Sequence, residues 1–174
     1  CNLFFLLGAF NSVGSSVSYA VYTIFFTVYA LAYKKPLLVY IPAATLPLAI
    51  VFGLDAYKVD AWLPILTTLA VIYFIAGLAL RAREGWTLTL RNSALILASV
   101  VSIAALILMK ETGGWYALVA GALFAAEMYI RKDGRFELGA PALFTLGAHL
   151  ILRDFNNFTT IYHLLTFSLV WIFS

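Results

Sequence analysis

Residues 63–80 and 92–109 contain no charged side chain. Each run is 18 residues long and bounded by charges. Such a run is long enough, at 1.5 Å per residue, to approach the roughly 30 Å hydrocarbon thickness of a bilayer as a helix. A β-barrel crosses a membrane on strands of about ten residues that alternate in polarity. Here 65–80 and 94–109 are apolar on every helical face, so helices fit. Composition extends the argument to the whole chain. Only 11% of its 174 residues are charged and 64% are hydrophobic, against roughly 25% charged in a soluble domain. The expected fold is all-α, a polytopic transmembrane bundle of about seven or eight helices.

The expected spans are 17–33, 37–54, 62–80, 92–109, 115–130, 138–152 and 159–173, after a short apolar piece at 3–10. The connections are short, so neighbouring helices should run antiparallel. Counting those connections in order, the even ones (34–36, 81–91 and 131–137) hold Lys34, Lys35, Arg81, Arg83, Arg91, Arg131, Lys132 and Arg135. The odd ones hold Lys58, Lys110 and Arg153. Basic residues are retained on the cytoplasmic side. The even connections and the C-terminus at Ser174 are therefore expected there. Tyr33, Tyr57, Trp62, Trp86, Trp115 and Trp171 fall near expected span ends, where aromatic rings anchor at headgroup level. The net charge of +3 is read as a reflection of that positive-inside bias. No basic run interleaved with aromatics points to nucleic acid.

A pattern recurs along the chain. Tyr19-Ala20 returns as Tyr116-Ala117, Lys34-Lys35 as Arg131-Lys132, Pro42-Ala43 as Pro141-Ala142, and Asp55 as Asp154. The offset is 97 residues before the basic pair's loop and 99 after it. This reads as two parallel four-helix repeats, 1–91 and 92–174, within one membrane domain. In that register the segment 3–10 is half a helix. Together with the absence of an initiating methionine, this gives the expectation of a piece of a longer chain. The rival reading is a lipid-modified Cys1. The order Tyr-Ala, basic pair, Pro-Ala resembles large, repeat-built polytopic bacterial membrane proteins of unknown function. The resemblance implies a bacterial cytoplasmic membrane and carries no catalytic motif.

Few residues offer chemistry. Cys1 is the single cysteine, which excludes an internal disulfide and cysteine-based zinc or iron–sulfur sites within this sequence. No phosphate-cradling glycine loop, nucleophile elbow or HExxH motif occurs. The chain is therefore read as no enzyme, with no catalytic or metal-ligating residue and no resident cofactor. Glu127 is the only carboxylate inside an expected span. Its placement four residues before Arg131 accounts for it as an ion pair one turn from a helix end. On a transport reading it would line a path together with Thr45 or Thr145. His149 and His163 flank the connection 153–158 at similar depth. They could hold a haem, a chlorin pigment or a quinone if both rings faced one gap, or simply sit in a polar interface. Pro42, Pro47, Pro64 and Pro141 lie within or near span starts, where they can kink helices. Glycines such as Gly53, Gly77, Gly121 and Gly147 suit close helix contact. Asn157 opens a glycosylation sequon.

Three functional expectations follow. The first is a non-enzymatic membrane scaffold or accessory subunit whose partners are lipids and other transmembrane helices. The second is a transporter or channel fragment. The third is cofactor binding at the histidine pair.

Overall fold

The computed structural model describes residues 12–80, 84–109, 113–132 and 139–154. Every element among them is helical: α1 (Ser12–Ala32), a 3-10 turn η1 (Pro36–Val39), α2 (Tyr40–Ala56), α3 (Trp62–Ala79), α4 (Glu84–Met109), α5 (Gly114–Arg131) and α6 (Gly139–Asp154). Four segments are long and apolar enough to cross a membrane, Ser12–Ala32, Pro36–Ala56, Trp62–Ala79 and Gly85–Leu108. The chain is accordingly an integral membrane protein by the length and composition of its helices.

The described residues thus contain six α-helices rather than seven or eight. The expected pieces 3–10 and 159–173 lie outside them. Two further expectations change. The helices α5 and α6 are not among the four spanning segments. α5 carries Glu127 and Arg131 in its 18 residues. The apolar part of α6, Gly139–Ile151, reaches only about 20 Å at 1.5 Å per residue. The connection read at 81–91 is also mostly helix, because α4 begins at Glu84. Arg91 therefore sits inside a helix, and it is buried.

Helix ends explain several boundaries. Lys34, Lys58 and Lys132 follow α1, α2 and α5 and have φ of 50°, 55° and 52°. The left-handed conformation turns the chain back so that amides reach the last carbonyls. Lys35 N–H donates to the Ala30 carbonyl at 3.1 Å, Val59 N–H to Leu54 at 2.9 Å, and Lys132 N–H to Met128 at 2.9 Å. Glycine usually occupies such a position, but a cation there also complements the negative end of the helix dipole.

The prolines divide into two groups. Pro42, Pro64 and Pro141 are each the third residue of their helix. A missing amide costs nothing in the first turn, where it has no intrahelical acceptor. Only Pro47 lies in a helix interior. Its ring denies the carbonyl of Ala43, one turn back, an amide partner. The Tyr73 hydroxyl of α3 donates to that carbonyl at 3.4 Å, a long bond but one from a buried side chain.

The chain divides into two compact units, Cys1–Ala94 and Leu95–Ser174, with the division falling within α4. In the first, α1 and α2 form an antiparallel hairpin. Tyr19 stacks on Phe52 at 5.6 Å between centroids. The Ser16 hydroxyl donates to the Ala49 carbonyl at 2.8 Å, the hydroxyls of Thr23 and Thr45 share a hydrogen bond of 2.8 Å, and Ser12 donates to the Asp55 carboxylate. The start of α4 closes on α3. Thr87 donates to the Leu80 carbonyl at 2.7 Å. A methyl on Gly77 would lie 2.6 Å from Cγ of Arg91, so the glycine makes room for the arginine stem.

In the second unit, α5 and α6 form another antiparallel hairpin whose seam is glycine. A methyl on Gly114 would lie 2.7 Å from the Gly147 carbonyl oxygen, and one on Gly147 would lie 2.8 Å from the Gly114 oxygen. The backbones touch where the helices cross, as small-residue motifs permit in membranes. Ser102, near the end of α4, donates to the Tyr116 carbonyl at 3.1 Å.

Candidate functional site

α5 presents Ala117, Ala120 and Gly121 as buried small residues, and Glu127 follows one to two turns later on the same buried side. The Glu127 side chain is wholly buried, at 0% exposure. Its carboxylate pairs with the Arg131 guanidinium at i, i+4, and Arg131 retains 18% exposure. The expected pairing is present, but the carboxylate is enclosed by protein rather than resting in a wet interface. Arg131 lies in the last turn of α5, where a cation complements the helix dipole. This arrangement neutralises one buried anion with a cation that stays partly exposed. A proton relay would need further carboxylates or imidazoles at that depth. Among the described residues, no three of His, Cys, Asp and Glu come together.

The threonine hydroxyls near Pro64 and Pro141 are turned to their own backbones, and that of Thr45 to another threonine. Thr67, Thr68 and Thr145 donate to the carbonyls of Leu63, Pro64 and Pro141 at 2.8, 2.8 and 2.6 Å, and Thr45 is bonded to Thr23. The same i−4 bond recurs at Thr23, Thr27, Thr89, Ser93 and Ser99. Back-bonding of this kind hides a polar group without a partner helix. His149 is exposed on α6. His163 lies outside the described residues, so the pair's geometry does not enter.

Two polar features escaped the sequence reading. One is the buried group Thr87, Thr89, Arg91 and Ser93 at the start of α4. The charges flanking it read as a loop, and Gly77, whose missing side chain admits Arg91, is a tertiary fit that no local pattern announces. The other is a cleft of about 360 Å³ where α2 ends and α3 begins, with Asp55, Lys58, Asp60 and Trp62 among its lining residues. In sequence these residues fall at the short connection between the expected spans 37–54 and 62–80. No family model, no curated protein and no solved structure matches the chain.

Proposed function

We propose that this chain is a non-enzymatic, polytopic membrane scaffold or accessory subunit, whose contacts are lateral, with lipids and with other transmembrane helices. The observation that carries this reading is the outer face of α1. Val13, Val17, Val21, Ile24, Val28 and Leu31 recur at spacings of three and four, and each is more than half exposed. The stripe runs about 27 Å along the helix at 1.5 Å per residue. A water-facing surface rarely tolerates a continuous apolar band of that length, whereas lipid tails or a partner helix cover it. The inward-turned hydroxyls support the same reading, since they leave little polar surface for a permeant solute. The parallel repeat is part of the proposal. It draws support from Pro42 and Pro141 as third residues of α2 and α6, and from Asp55 and Asp154 in their last turns. The cytoplasmic placement of the basic connections and the bacterial setting belong to the proposal as well.

Photo-crosslinking residues at positions 17, 21 and 24, activated in native membranes, test it. Crosslinks to a membrane polypeptide are expected, with lipid adducts beside them. Lipid adducts alone would remove the subunit role. The one observation favouring transport is the complete burial of Glu127. Ion or proton flux in proteoliposomes that Glu127→Gln abolishes would replace the scaffold with a transporter.

A further inference from the structure

The cleft between α2 and α3 has a composition that helix packing does not require. α2 ends at Ala56 and α3 begins at Trp62, and both helices belong to segments of membrane-spanning length. The link between them therefore lies at headgroup level, and the aromatic side chains of Tyr57 and Trp62 suit that level. Phe52 and Val59 supply apolar wall, while Asp55, Lys58 and Asp60 supply two negative charges and one positive. Among the described residues, no ion pair joins Lys58 to either carboxylate. The charges line the same space and leave room between them. Asp55 accepts one hydrogen bond from Ser12, and a carboxylate has further lone pairs to offer. The left-handed turn at Lys58, closed by its N–H on the Asp55 carbonyl at 3.0 Å, holds the lysine and the aspartate in a fixed relation.

We infer that this cleft binds the ammonium–phosphate headgroup of a zwitterionic phospholipid. The ammonium lies toward Asp55, Asp60 and the face of Trp62, where carboxylates and an indole both attract a cation. The phosphate lies toward Lys58, and the first methylenes follow the Phe52 and Val59 wall. The charge count selects the class. A lining of net −1 repels a purely anionic headgroup and accepts one that carries its own cation. The volume falls in the 300–1,000 Å³ range usual for small-molecule sites. The inference deepens the lateral-contact reading by naming one lipid class, and it rests on that reading only for the embedding of the helices in lipid.

The test uses the intact chain in non-ionic detergent and counts bound lipid by native mass spectrometry. The probes are short-chain phosphatidylethanolamine, phosphatidylcholine and phosphatidylglycerol, and calcium chloride alone. The two zwitterionic lipids are expected to bind more tightly than phosphatidylglycerol. Asp60→Asn should weaken them about fivefold, the scale of one exposed charge contact. Lys58→Gly should weaken them about threefold on the same scale. Glycine at that positive φ keeps the turn, so loss of binding there is not loss of fold. Equal binding of phosphatidylglycerol by the unaltered chain would overturn the inference. So would unaltered lipid binding by both variants, or calcium binding that Asp60→Asn abolishes with no preference among lipids. None of these outcomes bears on the crosslinks from α1, so the site and the scaffold role fail separately.

Discussion

The hairpins α1–α2 and α5–α6 are each held by different means. In α1–α2 the crossing is polar and aromatic: a serine hydroxyl on a carbonyl, two threonines bonded to each other, and Tyr19 stacked on Phe52. In α5–α6 the crossing is bare backbone, Gly114 against Gly147, with Phe144 close over Gly121. On the proposed repeat, an offset of 97 residues sets Ala30 against Glu127, and both are completely buried. One hairpin fills that place with a methyl group and the other with a carboxylate and its counter-ion. A hairpin tied by hydroxyls depends on individual bonds that can be deleted one at a time. A hairpin seated on glycine depends on a distance, and any added atom breaks it.

The largest effect is therefore expected from Gly147→Val. Its side chain meets the Gly114 oxygen and Leu118, which lies 2.9 Å from a Cβ at that position. Overpacking should destabilise the hairpin by about 2–3 kcal/mol, measured as a lowered thermal midpoint in detergent. Gly14→Ala in α1 is the contrasting change. A methyl there meets nothing within 4 Å, and helix propensity favours it by roughly 0.5–1 kcal/mol. A fall in stability for Gly14→Ala as large as that for Gly147→Val would erase the distinction between the seams.

Next in size is Glu127→Ala, which places the alanine of the first hairpin into the second. It strands the Arg131 guanidinium. Partial exposure lets that group turn to water, so the expected loss is about 1–2 kcal/mol. The double variant Glu127→Ala, Arg131→Ala should recover part of it. A double variant less stable than the single one would show that the pair is not what burial of Glu127 depends on.

Smaller still is Ser16→Ala, which removes the bond to the Ala49 carbonyl. A loss of about 0.6 kcal/mol is expected, the average for interhelical hydrogen bonds in a membrane protein. A loss several times larger would mean that the serine seam resembles the glycine seam in rigidity. The smallest effect is one the hairpins share. Lys34→Gly and Lys132→Gly each relieve a left-handed residue, and each should raise stability by about 0.5 kcal/mol after the added chain entropy of glycine. Unequal responses would separate the two turns, which the near-identical φ angles make alike.

Much of this architecture was legible in the sequence because lipid leaves few choices. The uncharged run at 63–80 became Trp62–Ala79 almost unchanged, since an apolar stretch of that length satisfies its backbone only as a helix. The start of α4 was not legible in the same way. Charge marks a loop in most sequences of this kind, yet Arg91 is buried in a helix beside Gly77, 14 residues before it. That pairing is tertiary, and no local pattern announces it. The Glu127–Arg131 pair was legible because i, i+4 spacing alone brings it together; its depth was not, because depth depends on what packs around α5. The cleft was illegible because Asp55, Lys58, Asp60 and Trp62 look like any polar turn until two helix ends hold them around one space.

The proline within α2 has a consequence for biogenesis. α2 precedes α3 in the chain, so it leaves the ribosome first. Until α3 arrives, the carbonyl of Ala43 has neither the amide that Pro47 lacks nor the hydroxyl that Tyr73 later supplies. The turn of α2 at Ala43 is the part of that helix least suited to standing in lipid alone, where an unmet carbonyl is costly. α2 and α3 are therefore expected to settle in lipid as an interdependent pair, with Tyr73 of the second helix completing the first.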